Sequence, residues 1–99
     1  MLFRSIHRGP NRGERFLLKS DEISIGRASE NQIFLDDITV SRKHAVIHHR
    51  EIVFELQDLG SLNGTYVNNN SIARVTLNHG DEIQFGKFHM LFVQNSGEK

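Results

Sequence analysis

Ninety-nine residues, 37% of them apolar and 24% charged, suffice for one folded domain with a single core and are too apolar for a disordered chain. Twelve basic side chains balance twelve acidic ones at a pI near 7, so no overall field attracts nucleic acid or an anionic membrane, and any anion must be recognised locally. The absence of cysteine excludes disulfides, thiolate zinc sites and a cysteine nucleophile; with no basic-then-apolar leader and no apolar run near the ~18 residues of a membrane span, a cytoplasmic protein is expected.

In chain order, Leu2 to His7 alternates imperfectly, stops at the turn formers Gly9-Pro10-Asn11-Arg12-Gly13, and resumes at Glu14 to Leu18, the pattern of a hairpin. Glu22-Ile23-Ser24-Ile25 is a half-buried strand ended by Gly26, from which Arg27 projects. After the polar turn Ala28 to Asn31, Gln32 to Leu35 is a short strand. The polar loop Asp36 to His44 then carries a hydroxyl, two cations and an imidazole between apolar segments, and reads as a site for an anion. His44 to His49 and Ile52 to Asp58 flank Arg50-Glu51 and suggest a second hairpin. The loop Gly60-Ser61-Leu62-Asn63-Gly64-Thr65 precedes a short strand at Tyr66-Val67, and Asn68-Asn69-Asn70, residues that tolerate positive φ, form the next turn before Ile72. Arg74 to Leu77, Glu82 to Phe85 and Phe88 to Val93 complete the set, the last apolar enough to be central, with the first strand placed beside it. About ten short strands with frequent turn residues and no sustained helical period indicate an all-β sandwich or barrel. The domain is expected over 1–94, with 95–99 as a flexible tail or the start of a linker.

Gly26-Arg27, Ser41-Arg42-Lys43-His44 and Ser61-Leu62-Asn63-Gly64-Thr65, in this order on a β chain of this length, resemble the forkhead-associated (FHA) domain over nearly the whole sequence. Each piece alone is common; the signal lies in the combination. The nearest likeness is to small bacterial members with a similar Asp-Asp-x-Thr-Val-Ser-Arg-x-His and Gly-Ser-Leu-Asn-Gly-Thr-Tyr-Val-Asn pattern. The resemblance implies a sandwich of about eleven strands in two sheets that binds phosphothreonine peptides through loops at one end, in signalling. The implied partner is a phosphothreonine-containing protein, a Ser/Thr kinase or a kinase substrate; a monomer is the default expectation, and no cofactor is expected.

A phosphothreonine carries about −1.5 to −2 charges and three strong acceptor oxygens, so its receptor needs fixed donors and a cation. Arg27 offers a permanently charged planar fork; its bland alternative is a surface ion pair with Glu30 or an aspartate. Ser41 offers a hydroxyl and a backbone N–H, Arg42 a backbone N–H and charge, and Lys43 a solvated charge. Asn63 can both donate to and accept from a peptide main chain. The resemblance makes His44 structural, its ring bonding within the loop, with Gly26 and Gly64 in support; Ser61 and Thr65 read as bonded within their own loop. This chain carries Leu62 where many members carry Thr or Ser, which removes a hydroxyl from beside the phosphate, and Asn68 to Asn70 where glycine is common.

Rival readings are weaker. His44, His48 and His49 lie near Glu51, but strand alternation puts His44 and His48 on one face and His49 on the other, so no metal site converges. A Ser41–His44 hydrolase would also need an orienting acid and an oxyanion hole, which normally come from separate parts of a fold, and with no separated carboxylate pair or nucleophile with base standing out no enzyme is expected. A neutral chain with one Tyr and scattered Phe makes no nucleic-acid platform. The main alternative is a module that binds a folded partner, such as a metabolic enzyme, without phosphate. Similar bacterial domains do so and are switched off by phosphorylation of their own N-terminal threonines; within these residues no threonine precedes Thr39.

Overall fold

The computed structural model describes residues 3–8 and 14–95, in which eleven strands and no helix occur. They are β1 (Phe3–Arg8), β2 (Glu14–Leu17), β3 (Glu22–Gly26), β4 (Ile33–Phe34), β5 (Ala45–Arg50), β6 (Val53–Asp58), β7 (Thr65–Val67), β8 (Asn70–Ile72), β9 (Arg74–Thr76), β10 (Glu82–Phe85) and β11 (Phe88–Asn95). One sheet has the order β2-β1-β11-β10-β7-β8 and the other β4-β3-β5-β6-β9; every pair is antiparallel except β3 with β4. The all-β sandwich expected from the sequence is therefore present, with β11 interior and β1 beside it, Phe3 opposite Asn95. β11 runs on through Asn95, which the sequence reading assigned to the tail. The turn expected at residues 9–13 lies outside the described residues.

Alternation builds the core. Ile23 and Ile25, Ala45 and Ile47, and Phe54 and Leu56 point inward from one sheet, and Ile83 and Phe85, Phe88, Met90 and Phe92 from the other. Phe54 and Phe92 meet across the interface with ring centroids 5.5 Å apart. Each such buried side chain contributes about 1.5–3 kcal/mol relative to exposure. Leu35, just before the polar loop, and Val40, within it, are 1% exposed, so that loop is nailed into the core at two points.

Two turns differ from the sequence reading. β5 pairs through Arg50 opposite Val53, so the connection is Glu51-Ile52, not Arg50-Glu51, with Glu51 at φ 58. Apolar Ile52 looked like strand; it is a turn residue because the register that stacks His49 on Phe54, centroids 4.0 Å apart, leaves it unpaired. Likewise the turn after β7 is Asn68-Asn69 alone, at φ 52 and 72, while Asn70 pairs with Val67 in β8. Two consecutive left-handed residues match the twist of a tight hairpin, and a third is not needed.

Candidate functional site

The end of β3 is laced to the polar loop. His44 N–H donates to the Ile25 carbonyl at 2.9 Å, Arg27 N–H to the Ser41 carbonyl at 2.9 Å, and Ala28 N–H to the Arg42 carbonyl at 3.2 Å. Gly26 is required by this approach and not by its φ: a Cβ there would lie 2.1 Å from the Arg42 carbonyl oxygen and 2.7 Å from Asn31 Nδ2. That Asn31 amide donates to both the Ala28 and Arg42 carbonyls at 2.8 Å, closing the turn after β3. Arg27 Nε donates to the Val40 carbonyl at 3.0 Å, which fixes the guanidinium plane and leaves its terminal nitrogens without a partner among the described residues. The bland ion pair with Glu30 or an aspartate is not formed there.

His44 is fully buried, and its ring joins two loops. Nδ1 accepts the Ser41 N–H at 3.0 Å, so the ring proton sits on Nε2, which donates to the Gly64 carbonyl at 2.9 Å. Phe85 packs against it edge-on at 5.7 Å. The imidazole thereby links the Ser41 turn to the Gly64 carbonyl. The Ser41 N–H, expected to be available to a ligand, is not, because the imidazole consumes it. The Ser41 hydroxyl accepts the Leu62 N–H at 3.0 Å and keeps its own proton for another acceptor.

The loop after β6 is organised by Asp58. Its carboxylate accepts from Gly60 N–H at 3.0 Å, Ser61 N–H at 3.1 Å, Ser61 Oγ at 2.5 Å and Thr65 Oγ1 at 2.7 Å. Burial alone pushes this carboxyl up, but the Ser61 and Thr65 hydroxyls and the two N–H groups together outweigh it and hold it below its ordinary 3.8. Gly64 turns the chain at φ 84, and Asn63 beside it donates from Nδ2 to the Thr39 carbonyl at 2.9 Å. One N–H and the carbonyl of that amide remain to face a ligand.

Thr39 is held in turn. Asp37 Oδ2 accepts its N–H at 2.9 Å and its hydroxyl at 2.6 Å, and the Thr39 hydroxyl accepts the Lys87 N–H at 2.9 Å. Lys87 Nζ lies 3.1 Å from Asp37 Oδ1, and a Cβ on Gly86 would strike the Thr39 carbonyl at 2.5 Å. Thr39, Asn63, Tyr66, Gln84, Gly86 and Lys87 line a cleft of ≈ 370 Å³ beside the amide.

The Thr39 hydroxyl bond, then its N–H and Lys87, lower the Asp37 pKa from 3.8 to about 2. A carboxyl with a depressed folded pKa stabilises the fold above its unfolded value and loses that contribution as pH falls through the folded one. Acid should therefore loosen this corner between about pH 4 and pH 2. Asp37→Asn is expected to flatten the fall in melting temperature over that window, with Asp58 leaving a residual slope; an unchanged profile would show that the Asp37 charge contributes nothing.

The structure thus brings Arg27, Ser41, Arg42 and Asn63 together, with Gly26, His44 and Gly64 shaping the loops that hold them. It separates the other histidines. The sequence reading placed His44 and His48 on one face, but His44 precedes β5 and turns inward, while His48 lies between Gln57 Oε1 at 3.0 Å and Glu22 at 3.6 Å. Sequence reasoning missed Asn31, Asp37, Thr39, Asp58 and Lys87. Asp58 before Gly60-Ser61, and Asp37 before Thr39, have the spacing of side chains that bond backbone two residues on, which was the available signal.

A β-sandwich whose end presents a tethered guanidinium, a hydroxyl and an amide from separate loops defines a loop-borne recognition domain. The FHA domain family profile matches residues 23–86, and the chain belongs to that family. It is 48% identical over 93 residues to the oxoglutarate dehydrogenase inhibitor of Corynebacterium jeikeium, covering 94% of this chain and 65% of that protein. It is 49% identical over 88 residues to the glycogen accumulation regulator GarA of Mycobacterium tuberculosis, covering 89% of this chain and 54% of that one. The chain thus spans less than two thirds of the length of either relative. Among solved structures, Mycobacterium tuberculosis EmbR in complex with a low-affinity phosphopeptide superposes with a TM-score of 0.91 at 34% identity, covering 98% of this chain and 26% of EmbR. No helix of the described residues is long and apolar enough to cross a membrane.

Proposed function

We propose that this domain is a non-catalytic reader of phosphothreonine in a partner protein, a Ser/Thr kinase or a kinase substrate, and that it works in signalling as a cytoplasmic monomer. One observation carries the reading: Arg27, Ser41 and Asn63 all belong to or are bonded to the short backbone segment Thr39 to Ser41, which fixes three donors from different loops around one point. Arg27 forks onto phosphate oxygens, the Ser41 hydroxyl donates to another, Arg42 adds charge and its N–H, and Asn63 grips the peptide main chain. Residues 1–94 act as one module in this reading. A second reading is favoured by the relatives named as an enzyme inhibitor and a metabolic regulator. In it the domain binds a folded enzyme without phosphate, through these loops or another face.

Calorimetric titration with one degenerate peptide library, carrying phosphothreonine, phosphoserine or unmodified threonine, tests the first reading. Binding of the phosphothreonine set in the micromolar range, roughly −8 kcal/mol, is expected. Burial of the extra methyl alone gives only about a fourfold preference over phosphoserine, so a larger ratio would require a shaped pocket that sets the threonine rotamer. Equal heat from the unmodified set would sink the phosphate reading, and no heat from any set would favour the folded-partner one.

A further inference from the structure

We propose that Ile38 and Leu62 form a divided apolar rim around the anion site that selects partners with an apolar side chain close to the phosphothreonine; this rests on the phosphothreonine reading above. Ile38 is 87% and Leu62 88% exposed, more than any other large apolar side chain among the described residues, the next being Ile52 at 68% on the β5–β6 turn. A single exposed leucine or isoleucine is ordinary and means nothing. The position of this pair is what matters.

Each stands one residue before a member of the same clamp, on opposing loops: Ile38 before Thr39, and Leu62 before Asn63, whose amide donates to the Thr39 carbonyl at 2.9 Å. The backbone of both segments is held in place. Leu62 N–H is bonded to the Ser41 hydroxyl at 3.0 Å, and Thr39 is pinned by Asp37 and by the Lys87 N–H. Neither side chain belongs to the core or packs against it as a partly buried residue. Their exposed neighbours Asp36, Arg42, Lys43 and Asn63 are polar.

Apolar area held in water on anchored backbone gives up little conformational freedom when a ligand covers it, so its burial converts efficiently into affinity. A phosphate cannot supply that cover. The atoms that can are the side chains of residues neighbouring the phosphothreonine in an extended peptide, and the occupant matched to this rim is an aliphatic one such as leucine, isoleucine or valine. Arg27 and Ser41 meet the phosphate, Asn63 the main chain, and Ile38 and Leu62 the flank.

Two short phosphothreonine peptides, identical except that the flanking residues are leucine in one and serine in the other, test this by titration calorimetry against the wild-type domain and the double variant Ile38→Ser, Leu62→Ser. The wild type is expected to prefer the leucine-flanked peptide by about five- to twentyfold, as partial burial of one or two aliphatic side chains provides. The double variant should bring that ratio close to one, with a melting temperature within about two degrees of wild type, since neither residue is in the core. A wild type that binds both phosphopeptides equally, or a double variant that keeps the full ratio, overturns the rim. A wild type that binds neither peptide, or binds the unphosphorylated leucine-flanked peptide as well, overturns the phosphothreonine reading itself and the rim with it.

Discussion

Replacing Arg27 with alanine is expected to weaken phosphothreonine-peptide binding on the order of tenfold to a hundredfold, because each charge-assisted hydrogen bond to the phosphate contributes ~1.5–3 kcal/mol. The same change removes the Nε bond to the Val40 carbonyl, a contact with a net worth of about 0.5–1.5 kcal/mol, so melting should drop by only a few degrees. The two effects come from different nitrogens of one side chain. Arg27→Lys separates them from charge: lysine restores the cation but neither the fork nor the Nε tether, and should recover less than half of the lost binding free energy. Binding to Arg27→Ala should also lose much of its salt sensitivity. Unchanged affinity in Arg27→Ala, measured calorimetrically, would show that the phosphate lies elsewhere.

His44→Ala should have the larger effect on the fold. The ring is fully buried, and its loss opens a cavity against Phe85 while leaving the Ser41 N–H and the Gly64 carbonyl without partners. A cost of about 3–5 kcal/mol follows from the cavity and the orphaned groups together, which for a domain of this size lowers the melting temperature by more than roughly 12 °C. Phosphopeptide affinity should fall as well, measured at a temperature where the variant is folded, although a ring with no exposed surface cannot touch a ligand. Only slippage between the Ser41 turn and the Gly64 loop connects the two losses. A melting temperature within about 4 °C of wild type would mean that the loops hold their relation without the imidazole, and that His44 does not join them.

Much of this was legible in the chain because the governing patterns are local. The alternation of Ile23 and Ile25 is a property of neighbouring residues and marked a half-buried strand, and the apolar run Phe88 to Val93 marked an interior one. The Asn-Gly pair marked a turn and Gly26 the end of a strand, while the close approach of the Arg42 carbonyl that a Cβ at Gly26 would block comes from the tertiary structure. Boundaries failed where a residue's chemistry and its place disagreed. Ile52 is apolar yet sits in a turn, and Asn70 tolerates a turn yet belongs to a strand, because cross-strand register and not side-chain type decides which residue is unpaired.

The sequence by itself determined that this chain is all-β with three polar loops rich in hydrogen-bonding side chains, and which residues in them carry charge, hydroxyl and amide. Those are facts of composition and short-range spacing. Only the tertiary structure decided how their atoms are spent. The Ser41 N–H goes to His44 and not outward; Arg27 spends its Nε on Val40 and keeps its terminal nitrogens; Thr39, unremarkable in the chain, holds Asn63 while Asp37 and the Lys87 N–H hold it. Each of these bonds joins residues whose separation along the chain says nothing about their distance in space, except those between Asp37 and Thr39 and between Ser41 and His44. A donor's availability depends on whether some distant acceptor has already taken its proton, and that is settled only when the loops meet.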